Sequence, residues 1–159
     1  MLQLTGIICI VIYGIIVSSV FALKPELSRR LNLDDKKSGS LVFALMFSGA
    51  ISVLIISPFI DVIGYKIPLV MGLFAAALGM FLLRNTTNYL STIVFYCIIS
   101  FGSIAAISVG NTLLPLVLFE GKNAPAAANL GNVFYGLGAF MASFLIGTFI
   151  KKAGFKITT

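Results

Sequence analysis

The sequence predicts an all-α fold, a polytopic transmembrane helical bundle with five spans. Three observations carry this. Five long apolar stretches, at 5–23, 39–60, 67–83, 90–119 and 126–150, contain no Asp, Glu, Lys or Arg. Every charged residue falls between or after them. Within them there is no two-residue alternation: 7–17 and 51–60 are apolar on both faces, which a barrel strand would not be.

Each stretch is justified by length. A helix rises about 1.5 Å per residue, so a hydrocarbon core of about 30 Å takes roughly 20 residues. The first stretch lacks the basic start of a secretory signal, and Lys24-Pro25-Glu26 after it offers no small-residue cleavage site, so it reads as a retained span. The polar segment 24–38 follows, with Lys24, Glu26, Arg29, Arg30, Asp34, Asp35, Lys36 and Lys37. Asp34 or Asp35 there is placed to cap the second span, since a carboxylate accepts from the orphan amides of a helix start. The connections 61–66, 84–89 and 120–125 are short and force neighbouring spans to run antiparallel. The fourth stretch exceeds what a bilayer needs, and its end is expected to emerge or bend over 112–115, because Pro115 lacks a backbone donor. Lys151, Lys152 and Lys156 mark the exit of the fifth.

Composition narrows the function. With 59% hydrophobic residues, the chain of 159 residues has nothing left for a soluble domain, so 1–159 reads as one membrane domain. The net charge of +6 sits beside spans, where cations orient helices and meet lipid headgroups, and it does not indicate nucleic acid. There is no His, Cys9 and Cys97 lie inside predicted spans, and no paired acid or nucleophile constellation is present. These features argue against a metal site, a cofactor, a disulfide framework and an enzyme.

Charge alone orients the chain with its N-terminus outside. Lys24, Arg29, Arg30, Lys36, Lys37, Arg84 and the three terminal lysines share one side, against Lys66 and Lys122 on the other.

Between the second and third spans the chain reads Ser57-Pro58-Phe59-Ile60-Asp61-Val62-Ile63-Gly64-Tyr65-Lys66. An acid, a glycine three later and a base two after that resemble the loop signature of the major facilitator superfamily. Ser57, Val62 and Tyr65 replace a glycine and arginines of its full form. The structural alternative is a tight turn, with Gly64 as the permissive residue and Asp61 and Lys66 marking the interface. Further on, Asn111, the loop Phe119-Glu120-Gly121-Lys122 and the run Ala128-Asn129-Leu130-Gly131-Asn132-Val133-Phe134-Tyr135-Gly136-Leu137-Gly138 resemble the fucose permease branch of that superfamily.

That resemblance implies a carrier of sugars, often proton-linked, with about twelve spans in two halves and substrate bound between them. It implies that this chain is a partial N-terminal half, ending after its fifth span. As such a fragment it is expected not to transport alone and to need the remaining C-terminal helices or a partner subunit. A plasma-membrane location follows, with the N-terminus and the 61–66 loop in the cytoplasm; this orientation is preferred to the charge count. Departures are informative. Thr112 rather than proline follows Asn111, the first span carries no acid, and Ile107 stands where proton-linked members can carry Glu. Proton coupling by that route is not expected.

Neutral hydrogen-bonding chemistry is left for the solute. Ser108 and Asn111 are three apart, as are Asn132 and Tyr135, so each pair shares a helical face. The expected substrate residues are Asn111, Asn132 and Tyr135, holding a small neutral, sugar-like solute, with Asp61, Gly64 and Lys66 as a gating loop. The serines are expected to bond neighbouring helices instead. Small residues at four-residue spacing, Ala44/Ser48/Ser52, Gly102/Ala106/Gly110 and Ala139/Ser143/Gly147, read as packing seams. An alternative from another class is a small membrane assembly subunit that uses those seams as its interface.

Overall fold

The computed structural model describes residues 2–153, with side chains over 2–148. Five helices follow in order, α1 (Leu2–Arg30), α2 (Asp35–Ile63), α3 (Lys66–Arg84), α4 (Tyr89–Leu118) and α5 (Ala124–Ala153). All five are long and apolar enough to span a bilayer, and the described residues contain no strand. Lys156 lies outside the described residues, as do the side chains of Lys151 and Lys152.

The helices outrun the apolar stretches that announced them. α1 continues past Pro25 to Arg30 and α2 begins at Asp35, so the expected 24–38 loop shrinks to 31–34. Hydropathy marks lipid contact, whereas a helix persists into the interface while its residues favour it. Arg29 pairs with Glu26 one turn earlier at 2.9 Å. Asp34, not Asp35, is the cap: its carboxylate accepts from the Lys37 amide at 2.7 Å. Asn88 caps α4 likewise, accepting from the Ser91 amide at 2.8 Å.

Pro115 does not end α4. The helix runs on to Leu118, and the amides of Phe119 and Gly121 both donate to the Pro115 carbonyl, at 3.2 and 3.0 Å. Proline removes one donor and crowds the preceding turn, and this close to a helix end the backbone has room to absorb both. The carbonyl thereby deprived of its helical partner is that of Asn111, four residues earlier.

α4 is the central helix. It packs against all four others, and half of its apolar window is inside the protein. The Gly102/Ala106/Gly110 seam explains how: a Cβ on Gly102 would overlap the Gly72 carbonyl, and one on Gly110 would meet Ile10 at 2.5 Å. Close approach of this kind drives helix association where lipid removes the hydrophobic advantage. The Ala139/Ser143/Gly147 seam is corrected. α5 buries Ala127, Gly131, Gly138 and Ala142, while Ser143 and Gly147 face outward. Small residues occupy both registers of α5, so spacing alone does not choose between them. On α2 the buried seam is Leu41, Leu45, Gly49, Ser52, Ile56 and Ile60, which takes only Ser52 from the expected stripe.

One hydrophobic cluster gathers Val20, Leu27, Leu41, Leu45, Tyr96 and Ile99 towards the α1–α2 end of the bundle. A second gathers Cys9, Ile56, Ile60, Ala105, Val109 and Leu113 towards the other. Large apolar residues such as Phe43, Leu54, Phe74, Phe81, Phe140 and Phe144 are left uncovered by protein, as lipid-facing residues are. At the α1–α2 end, Arg30 ties three helices together. Its guanidinium donates to the Arg84 carbonyl at 2.9 Å and to the Thr86 carbonyl, satisfying groups at the end of α3. Thr86 in turn bonds Ser91 and Thr92 at the start of α4.

Candidate functional site

A half-open groove of about 530 Å³ lies between α1, α4 and α5. Its floor is α4, through Ile107, Asn111, Leu114 and Pro115, with Tyr13 of α1 beside it. Its wall is the start of α5, through Ala127, Gly131, Asn132 and Tyr135. The spacing on each helix, three or four residues, is that of a single face. All three residues expected to meet solute, Asn111, Asn132 and Tyr135, line this one groove.

Two features of sequence bring them together. Gly131 lets α5 lie against Ile10 and Leu114, and Gly14 lets α1 lie against the backbone of Tyr135, where a Cβ would overlap the carbonyl oxygen. Tyr13, adjacent to Gly14, is thereby brought to Tyr135, with ring centroids 5.5 Å apart and planes tilted by 38°. Tyr13 was missed by sequence reasoning. The signal that could have found it is its neighbour: a glycine in mid-helix costs stability and is kept for a close approach, which fixes which helix faces the adjoining side chain.

The polar inventory of the groove is neutral. No carboxylate, ammonium or guanidinium among the described residues lines it. Among the described residues, the side-chain amides of Asn111 and Asn132 have no hydrogen-bond partner, and both residues are exposed to the groove side of the protein surface. Beside Asn111, its own carbonyl adds an acceptor released by Pro115. The serines behave differently. Ser100, which sequence reasoning passed over, donates from its buried hydroxyl to the Leu45 carbonyl at 2.7 Å and so links α4 to α2. Ser108 is half-buried, and its carbonyl accepts from the Thr112 hydroxyl at 2.9 Å.

Asp61, Gly64 and Lys66 lie elsewhere, at the α2–α3 connection, and the structure does not bring them to the groove. The expected loop 61–66 shortens to 64–65, since Asp61 belongs to the last turn of α2 and Lys66 opens α3. Gly64 has φ 77° and ψ 171°, a backbone conformation essentially reserved for glycine. Both charges oppose the helix dipoles, an acid at a C-terminus and a base at an N-terminus. They form no ion pair with each other among the described residues. Helix stability therefore does not account for either charge.

Residues 6–158 match the family model described as Major Facilitator Superfamily. The chain belongs to the major facilitator superfamily. No curated protein and no solved structure gives a significant match. Members of this superfamily are membrane transporters, not enzymes, and the five apolar helices agree with a multi-pass membrane protein. In a major facilitator chain, a neutral groove between membrane helices and a charged, glycine-hinged connection between α2 and α3 are candidate solute and gating elements respectively.

Proposed function

We propose that this major facilitator chain carries a small neutral polar solute, of sugar type, across the plasma membrane by alternating access, with Asn111, Asn132 and Tyr135 as solute contacts. One observation carries the reading: two amides are left without protein partners in a groove that has no charged lining. Both amides are exposed to the groove with their donors and acceptors uncommitted, so a ligand rich in hydroxyls can pair with what the protein leaves free. The carbonyl of Asn111 supplies an acceptor for a solute hydroxyl. Tyr13 and Tyr135 supply an aromatic surface for the apolar face of a sugar ring. The resemblance of the Asn111 and 128–138 segments to the fucose permease branch supports a sugar over other neutral solutes. Asp61, Gly64 and Lys66 serve in this reading as the connection that moves when access alternates.

The test is binding by the chain in lipid nanodiscs, with methyl glycosides of glucose, galactose and fucose as probes. Saturable binding of at least one, weakened about tenfold or more by Asn111→Leu or Asn132→Leu, supports the proposal. Binding that both variants leave unchanged overturns it.

A further inference from the structure

A second, smaller cavity of about 150 Å³ adjoins the groove. The two share Tyr13, and their α4 residues form one continuous face, Ser100, Ser103 and Ile104 in the smaller, Ile107, Asn111 and Leu114 in the larger. The smaller lobe is walled by α2, through Leu45, Met46, Gly49 and Val53, where the larger is walled by α5. α2 and α5 scarcely touch, so the two lobes lie side by side along one face of α4 with the Tyr13 ring between them.

The two lobes differ in chemistry. In the smaller, both serine hydroxyls are already committed: Ser100 donates to the Leu45 carbonyl at 2.7 Å and Ser103 to the Ser100 carbonyl at 2.9 Å. Apart from the shared Tyr13, what remains is aliphatic surface. The lobe is open on one side, where Met46 and Val53 are exposed, and its volume is about that of an apolar cavity that accepts benzene. From Asn111 to the middle of the smaller lobe is eight residues of α4, or about 12 Å along the helix. A hexose ring held by hydroxyls at its far end and carrying an aromatic arm on its anomeric oxygen has about that reach.

We infer that the site takes an amphipathic solute, a glycoside whose sugar lies in the Asn111–Asn132 lobe and whose apolar arm passes Tyr13 into the lobe walled by α2. This rests on the neutral-polyol reading of the larger lobe and adds the class of solute.

Paired probes test it. Methyl and benzyl glycosides of glucose, galactose and fucose are titrated against the chain in nanodiscs. The benzyl member of a binding pair is expected to bind at least about tenfold more tightly than its methyl partner, from the apolar area buried. That ratio is expected to fall to near one in Val53→Phe, whose ring fills the lobe from its rim, and in Met46→Phe. Asn132→Leu is expected to lower both affinities and keep the ratio. Equal affinities in the parent chain, or a ratio that neither phenylalanine variant changes, overturn the inference alone; this is also the result if a lipid acyl chain fills the lobe. Failure of every glycoside to bind overturns the polyol reading, and this inference with it.

Discussion

The rings of Tyr13 and Tyr135 face each other across the groove with centroids 5.5 Å apart, and it is the glycine beside Tyr13 that brings them there. Gly14 rests on the Tyr135 carbonyl, and one turn away Gly138 rests on the Val11 carbonyl. The two glycines lock α1 and α5 reciprocally, so the geometry of the groove is set by backbone contact as well as by side-chain packing.

Gly136 and Gly138 should therefore respond oppositely to the same substitution. A Cβ on Gly136 meets nothing within 4 Å, whereas one on Gly138 would overlap the Val11 backbone. Gly136→Ala is expected to stabilise the protein by about 0.5–1 kcal/mol, through helix propensity alone. Gly138→Ala is expected to destabilise it by about 1–3 kcal/mol, as overpacking does. Thermal unfolding of both variants in one detergent checks the sign of each change.

Asn111 and Asn132 allow solute contact to be separated from helix glue. An interhelical amide bond in a membrane contributes roughly 0.6–2 kcal/mol, and its loss would lower stability. Neither amide bonds a described residue, so Asn111→Leu and Asn132→Leu are expected to leave unfolding unchanged or raise its midpoint, while weakening glycoside binding about tenfold or more. A fall in midpoint together with unchanged binding would return both residues to a packing role.

The bundle was legible because hydropathy reports directly on lipid contact: each of the five apolar stretches became a helix. Helix ends were less legible, since Glu26 to Arg30 can continue a helix in water as in lipid and Pro25 does not stop it. The groove was half legible. Asn111, Asn132 and Tyr135 announce themselves as polar groups in apolar runs, but Tyr13 is a common aromatic in an apolar helix, and only the contact made by Gly14 assigns it to the site. The smaller lobe was not legible at all. It lies where α1 and α2 stand apart over α4, a tertiary spacing that no local pattern encodes.

Arg30 is expected to matter more than the other cations at its end of the bundle. It satisfies two carbonyls at the end of α3, and hydrogen bonds from a charged donor contribute about 1.5–3 kcal/mol. Arg30→Ala should lower stability by about that amount. Arg30→Lys should not restore it, because a point donor on a flexible stem replaces a planar fork spanning two acceptors. Arg84→Ala should cost little, since its carbonyl makes the contact and its side chain is exposed. Unfolding midpoints of the three variants decide the matter.

Gly64 should tolerate no side chain, although space is not the obstacle. A Cβ there meets nothing within 4 Å, yet φ 77° with ψ 171° is strained for any other residue, at about 1–3 kcal/mol. Gly64→Ala is expected to destabilise or to shift the α2–α3 angle, seen as altered accessibility of a reporter cysteine at position 61. Asp61→Asn removes an acid from the negative end of α2 and should be neutral to slightly stabilising. If Asp61→Asn instead lost about 1 kcal/mol or more, the carboxylate would have a structural partner and the gating role would fail.

Orientation sets two physical rules against each other. Lys24, Arg29, Arg30, Lys36, Lys37 and Arg84 lie at one end of the bundle, whereas Lys66 and Lys122 at the other are balanced by Asp61 and Glu120, the latter 2.8 Å from Lys122. The charge rule would turn the first end to the cytoplasm. The resemblance of 57–66 to the superfamily's cytoplasmic loop turns it outward, and that orientation is the one expected. With Cys9 and Cys97 replaced by Ser, a membrane-impermeant maleimide added outside intact cells should label Lys36→Cys and spare Lys122→Cys. Both lysines are exposed, so lack of reaction reports sidedness rather than burial. Labelling of position 122 from outside would reverse the assignment and leave the charge asymmetry as the determinant of insertion.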